Sequence, residues 1–113
     1  MNEPASVPEI TPVELKKRLD ADDPPVLVDV REPFEANIAD LPDPDQVRIP
    51  TGEFARRYSE LDPEQELVLY CRSGSRSAWA TQLLQAKGYQ KVRNLEGGIL
   101  RWRQDVDPSL TAY

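Results

Sequence analysis

The sequence predicts an α/β domain: a central, mainly parallel sheet of about five strands flanked by helices on both faces. Three observations carry that expectation. The chain has 113 residues, enough for one domain with a buried core. Val26-Leu27-Val28-Asp29-Val30 and Glu66-Leu67-Val68-Leu69-Tyr70 are near-continuous apolar runs, as in strands buried on both faces. Helical patterns alternate with these runs at the spacing of βα units.

The elements follow in order. Residues 1–10, with Pro4 and Pro8, read as a flexible N-terminal arm. Thr11-Pro12-Val13-Glu14 has the form of a capping box, and Val13, Leu15 and Leu19 continue it as a short helix ending near Asp20. Asp22-Asp23-Pro24-Pro25 breaks that helix ahead of the Val26–Val30 strand. A helical turn around Phe34–Ile38 is followed by loop, and Gln46–Ile49 is a short strand stopped by Pro50. Thr51 is placed to cap a helix over about 52–60, with Phe54 and Tyr58 on one face. The Glu66–Tyr70 strand leads into a polar loop. Ala78 to Lys87 then reads as a helix with Trp79, Leu83 and Leu84 as its apolar stripe, stopped by Gly88. Lys91–Leu95 is a further strand, Gly97-Gly98 a turn, and Ile99–Asp105 a last helix carrying Trp102. The domain thus spans 11–105, with 106–113 as a C-terminal tail.

Composition removes several function classes. Fourteen Lys+Arg against twenty Asp+Glu give a net charge of −6, which disfavours nucleic acid and anionic membranes as partners. There is no histidine, so the chain holds no Ser-His-Asp triad, no Cys-His dyad and no His-ligated metal. Cys71 is the single cysteine, so neither an intramolecular disulfide nor a multi-cysteine zinc site can form. We expect no metal and no cofactor. Disulfide chemistry being absent, and the start being polar rather than signal-like, a cytoplasmic setting is expected.

The chemistry-bearing segment is Cys71-Arg72-Ser73-Gly74-Ser75-Arg76-Ser77. Cys71 stands at the carboxyl end of a strand, where parallel sheets place their sites. Loop amides before a helix can turn inward as an anion cradle, and Gly74 permits the bend. Arg72 and Arg76 add positive charge. Together these features favour thiolate over thiol, so a lowered pKa is expected for Cys71 in a partly exposed, electropositive place. A buried, inert cysteine is the plainer alternative, but a core residue has no need of a polar loop with two arginines. Between Cys71 and Arg76 stand only Arg72, Ser73, Gly74 and Ser75. That loop is one residue too short to enclose a tetrahedral phosphate as a cysteine phosphatase does, and suits a cysteine bearing one extra sulfur.

This segment resembles the active-site loop of rhodanese-type sulfurtransferases. Leu27-Val28-Asp29-Val30-Arg31-Glu32-Pro33-Phe34-Glu35 resembles the early Asp-Val-Arg-Glu element of that family, and Asn94-Leu95-Glu96-Gly97-Gly98-Ile99-Leu100-Arg101-Trp102 its late Gly-Gly element. The three lie in family order. Where the single-domain pattern has Gly-His-Ile, this chain has Ala36-Asn37-Ile38. With Leu41-Pro42 and the Val106-Asp107-Pro108-Ser109…Tyr113 ending, it is most similar to the rhodanese domain found behind adenylyltransferases of molybdopterin and thiamin sulfur chemistry.

The resemblance implies a rhodanese-like fold and a two-step reaction through a Cys71 persulfide. The donor would be thiosulfate or a cysteine-desulfurase persulfide, and a small sulfur-carrier protein is a possible acceptor. It implies Cys71 as the nucleophile, with Arg72, Ser73, Gly74, Ser75 and Arg76 as the substrate-binding cradle. Either arginine could hold an anionic donor or brace the loop through a carboxylate. Asp29, Arg31 and Ser77 are expected as structural support, with Arg31 pairing to Glu35 across a helical turn. Phe34, Phe54, Tyr58 and Trp79 are expected in the core. The alternatives are a non-catalytic rhodanese-like binding or regulatory module, which typically lacks the cysteine, and a cysteine phosphatase or arsenate-type enzyme.

Overall fold

The apolar runs pair side by side in one sheet. The computed structural model describes residues 7–113. Its strands are β1 (Glu9–Ile10), β2 (Val26–Asp29), β3 (Val47–Arg48), β4 (Leu67–Tyr70) and β5 (Val92–Leu95). They form a five-stranded sheet in the order β1-β5-β4-β2-β3, and every pairing is parallel. The helices are α1 (Pro12–Asp20), α2 (Thr51–Arg57), α3 (Ser75–Ala86) and α4 (Gly98–Asp105), with 3₁₀ turns at Pro33–Asn37 and Tyr58–Glu60.

Side-chain alternation along β4 sorts the core into two layers. Leu67, Leu69 and Cys71 face Phe54 of α2 and Ala80 and Leu84 of α3. Val68 and Tyr70 face Leu15 of α1 and Ile99 and Trp102 of α4. The central strands β2 and β4 are therefore apolar on both sides, which is why they read as continuous runs. From β2 the chain moves outward to β3, and from β4 it moves the other way to β5. Their adjacent carboxyl ends open a crevice where the connections diverge. Asp29 stands opposite Tyr70 in register, so the loops leaving β2 and β4 begin side by side.

The capping box is present: the Glu14 amide donates to Thr11 Oγ1 at 3.2 Å and the Thr11 amide to Glu14 Oε1 at 3.0 Å. Several elements differ from the sequence reading. The arm read over 1–10 includes residues 1–6, which lie outside the described residues. Within its remainder, Glu9–Ile10 forms the edge strand β1 with Ile10 buried. Thr51 opens α2 from within rather than capping it, and its hydroxyl donates to the Val30 carbonyl at 2.7 Å. Helix α3 begins at Ser75 rather than Ala78, because Gly74 takes a left-handed φ of 105° and turns the chain at once. Small Ser77, Ala80 and Thr81 form its buried face with Leu84, leaving Trp79 43% exposed. Phe34 is 63% exposed, because its turn directs Glu35 inward instead. Phe54 is in the core as expected, and Tyr58 packs at its edge. In the C-terminal tail read over 106–113, Val106, Leu110 and Tyr113 pack against the second layer. Among the described residues no helix is long and apolar enough to cross a membrane.

Candidate active site

Cys71 leaves β4 at the sheet's carboxyl edge, and three residues later the chain has become helix. This short passage wraps backbone donors around sulfur. The Gly74 amide donates to Cys71 Sγ at 3.1 Å, and the Ser77 hydroxyl lies 3.4 Å from the same atom. Burial pushes the thiol pKa up. The Ser77 hydroxyl and the backbone amides of Ser77, Gly74 and Ser73 push it down, and they win, so the net shift is downward.

The cause therefore differs from the expected one. The lowering comes chiefly from directed amides and a hydroxyl, with the Arg76 charge, which interacts with Cys71, a lesser cause. Cys71 is 0% exposed rather than partly exposed.

The amides face inward because the carbonyls are held elsewhere. The Cys71 and Arg72 carbonyls accept from the amides of Ile99 at 3.0 Å and Leu100 at 3.1 Å, at the first turn of α4. This satisfies helix-end donors and fixes the loop peptides in one stroke. Gly98 makes the approach possible: at its φ of 63°, a Cβ would sit 2.5 Å from the Arg72 oxygen and 2.6 Å from the Cys71 oxygen. Asn94 of β5 adds a second brace, its Nδ2 donating to the Gly74 carbonyl at 3.1 Å. Ser77 Oγ donates to Asn94 Oδ1 at 2.5 Å, with the Gly74 carbonyl at 3.3 Å also in reach. One hydroxyl proton thus has a choice of acceptors, and charge on sulfur would draw it toward Sγ.

A charged network surrounds this cradle. Arg31 pairs bidentately with Asp29 (2.9 and 3.0 Å), not with the Glu35 carboxylate as its spacing suggested. Asp29 also accepts from the Arg31 amide at 3.0 Å and from Arg48 at 2.6 Å. Burial opposes the Arg31 charge, but hydrogen bonds to Asp29 and Tyr113 raise its pKa all the same. Glu35 turns instead to Arg76, with bonds of 2.8 and 3.0 Å. That pairing, helped by the Glu32 amide and the Tyr113 hydroxyl, holds the Glu35 carboxyl down to about 2 despite its burial.

The structure thus separates the two arginines. Arg76 spends its forked face on Glu35. Arg72 meets no side-chain carboxylate among the described residues; its Nε donates to the Tyr113 main-chain oxygen and its guanidinium stacks 5.4 Å from the Tyr113 ring centre. Ser73 and Ser75 stay exposed on the loop and at the start of α3. Residues that sequence reasoning did not assign to the site are Gly98, Asn94, Glu35 as the partner of Arg76, and Tyr113. A polar Asn94 in a buried strand and the paired glycines were visible signals; the Tyr113 ending figured only in the family resemblance, with no role in the site. No cluster of carboxylates or cysteines among the described residues suits a metal ion.

The model of the rhodanese-like domain matches residues 11–105. The chain belongs to the rhodanese-like domain family. A protein named sulfurtransferase from Allochromatium vinosum is 41% identical, over 85% of this chain and 88% of its own length. A maize protein named adenylyltransferase and sulfurtransferase MOCS3-2 is 33% identical; the match takes in 92% of this chain but 23% of that longer protein. The crystal structure of a rhodanese-related protein from Thermoplasma volcanium superimposes with a TM-score of 0.77 at 27% identity, covering 88% of this chain and 93% of that one. Membership in this family, with relatives that carry the sulfurtransferase name, supports sulfur transfer as the general activity.

Proposed function

We propose that this rhodanese-like domain is a sulfurtransferase that carries sulfane sulfur on Cys71. The carrying observation is the Gly74 amide aimed at Sγ from 3.1 Å, inside a loop whose carbonyls are tied away. In the first step the Cys71 thiolate attacks the outer sulfur of a donor such as thiosulfate. A new S–S bond forms, the donor's own S–S bond breaks, and sulfite departs with the electron pair. The Cys71 persulfide anion is then held by the amides of the 72–76 loop and by Ser77. In the second step an acceptor nucleophile attacks the terminal sulfur, and the bonding pair returns to Cys71 as thiolate. The chain holds no histidine base, and the cradle's amides and hydroxyl shift Cys71 toward thiolate instead. The sulfur is wholly buried at rest, so attack requires side chains at the rim to move aside.

Within this reading Arg72 is the dock for an anionic donor and Arg76 braces the loop through Glu35. A desulfurase persulfide as donor and a small sulfur-carrier protein as acceptor fit the same chemistry. The MOCS3-like relative, named for adenylyl and sulfur transfer together, supports a carrier in that role.

The test is thiosulfate-to-cyanide transfer by the parent and by Cys71→Ser, with intact mass recorded after donor exposure. We expect the parent to gain one sulfur on Cys71 and the variant to gain none and to lose transfer by at least about a thousandfold. Equal rates would remove the enzyme reading in favour of a binding module. Phosphate-ester turnover without sulfur transfer would favour the phosphatase reading.

A further inference from the structure

The last residue of the packed C-terminal segment touches three residues of two sequence elements at once. The Tyr113 hydroxyl accepts from Arg31 Nη1 at 2.9 Å and donates to Glu35 Oε1 at 3.0 Å. Its ring lies under the Arg72 guanidinium, and its main-chain oxygen accepts from Arg72 Nε. The segment is itself anchored: Arg103 Nε donates to the Leu110 carbonyl at 2.6 Å, and Val106 and Leu110 pack against the core.

The consequence falls on Arg72. A guanidinium has five N–H donors, and here only the one on Nε is engaged among the described residues. Both Nη groups have no partner among the described residues, and Arg72 stands one residue past Cys71. Arg76 offers less, since the fork formed by its two Nη groups faces Glu35. An exposed arginine normally loses much side-chain freedom when it grips an anion. Stacking on Tyr113 removes that freedom in advance while leaving the anion-binding fork open.

We propose that Tyr113 is a positioning residue that holds Arg72 as a preformed dock for the oxyanion end of a sulfur donor of the thiosulfate type. This rests on the sulfurtransferase reading of Cys71. The hydroxyl bridge to Arg31 and Glu35 keeps the ring from swinging, and the ring fixes the guanidinium of the residue that follows the nucleophile. Sulfur chemistry at Cys71 does not pass through Tyr113, because the cradle's donors are Gly74, Ser73 and Ser77. The effect belongs to donor capture alone.

Steady-state transfer from thiosulfate to cyanide is measured for the parent, Tyr113→Ala, Tyr113→Phe, Arg72→Ala and the Arg72→Ala/Tyr113→Ala double variant. Tyr113→Ala is expected to raise the KM for thiosulfate about fivefold to tenfold, the loss of a positioned charge-assisted contact. Its kcat and the pH profile of Cys71 alkylation stay within about twofold of the parent. Tyr113→Phe keeps the stacking but loses the hydroxyl bridge, so its KM is expected between those of the parent and Tyr113→Ala. The double variant is no worse than Arg72→Ala. A parent-like KM in Tyr113→Ala, additive losses in the double variant, or a fall in kcat together with a shifted alkylation profile would each overturn the proposal. Calorimetric binding of thiosulfate to Cys71→Ser, with and without Tyr113→Ala, separates this from the activity reading. Weaker binding with Tyr113→Ala supports the dock even if the parent transfers no sulfur. Equal binding, or none in either protein, overturns it.

Discussion

The two ends of the sheet hold ionic clusters of similar geometry and unlike consequence. At the carboxyl end Arg31 meets Asp29 at 2.9 Å, with side chains 0% and 3% exposed. At the amino end Arg18 meets Glu66 at 2.6 Å, with 29% and 36% exposed, and Arg93 adds a contact at 3.1 Å. Distance does not separate the two ends, for Arg48 also meets Asp29 at 2.6 Å. Burial does, because an uncompensated buried charge has no water to fall back on, whereas an exposed pair is screened and nearly replaceable. Concavity is no better guide than distance. A cleft of about 610 Å³ lies at the amino end, lined by Pro8, Glu64, Glu66, Gln90, Lys91, Val92 and Arg93. The cysteine, the inward amides and the buried ion pairs all lie at the other. What marks the functional end is polar structure held where apolar packing would be easier.

The largest effect that tests this contrast is expected from Arg31→Met. It leaves the buried Asp29 with Arg48 as its one close cationic partner and strands the Ala39 carbonyl that Arg31 now serves at 2.9 Å. Urea unfolding should show a loss of about 3 kcal/mol or more. A loss below about 1 kcal/mol would mean that burial does not distinguish the two clusters.

Glycines sharpen the comparison. Gly88, near the amino end, has a φ of 91°, but a Cβ added there would meet nothing within 4 Å, whereas at Gly98 it would meet backbone at 2.5 Å. Gly88→Ala should therefore cost only the left-handed strain, about 1–2 kcal/mol, with transfer activity retained. Gly98→Ala must push the Cys71–Arg72 peptides away from α4 and so misaim the amides. About a hundredfold loss of transfer is expected, the scale seen when a directed anion donor is removed. Similar activity in the two variants would show that the α4 contact does not set the cradle.

Much of this contrast could be read before any coordinates. The apolar runs of β2 and β4 announced a sheet buried on both faces, and Cys71 ahead of a glycine-bearing loop announced the site. What stayed hidden were choices among partners. Arg31 had Asp29, Glu32 and Glu35 in its own neighbourhood, and only the inward turn at Pro33–Asn37 gives Glu35 to Arg76. Trp79 looked like core because its helix was expected to start three residues later, before Gly74's left-handed turn fixed the buried face. Tyr113 lies 41 residues from Arg72 and 82 from Arg31, a contact that no local pattern encodes.

Acid titration of the two clusters carries the contrast down to its smallest expected effect, that of Glu66. Glu35 has its pKa lowered from 4.5 to about 2, chiefly by Arg76. A depressed carboxyl stabilises the fold above its unfolded pKa, and that contribution is lost as pH falls through the folded one. The parent should therefore lose stability between about pH 4.5 and 2, and Glu35→Gln should flatten that segment while costing about 1.5–3 kcal/mol at neutral pH. Glu66 is also lowered, chiefly by Arg18, so its contribution has the same sign. Being more exposed, Glu66→Gln should cost no more than about 1 kcal/mol, and less still in high salt. Unfolding of both variants at low and high ionic strength is the check. If the Glu66 variant were the costlier one, or the Glu35 loss vanished with salt, solvent screening would not be what separates the two ends of this sheet.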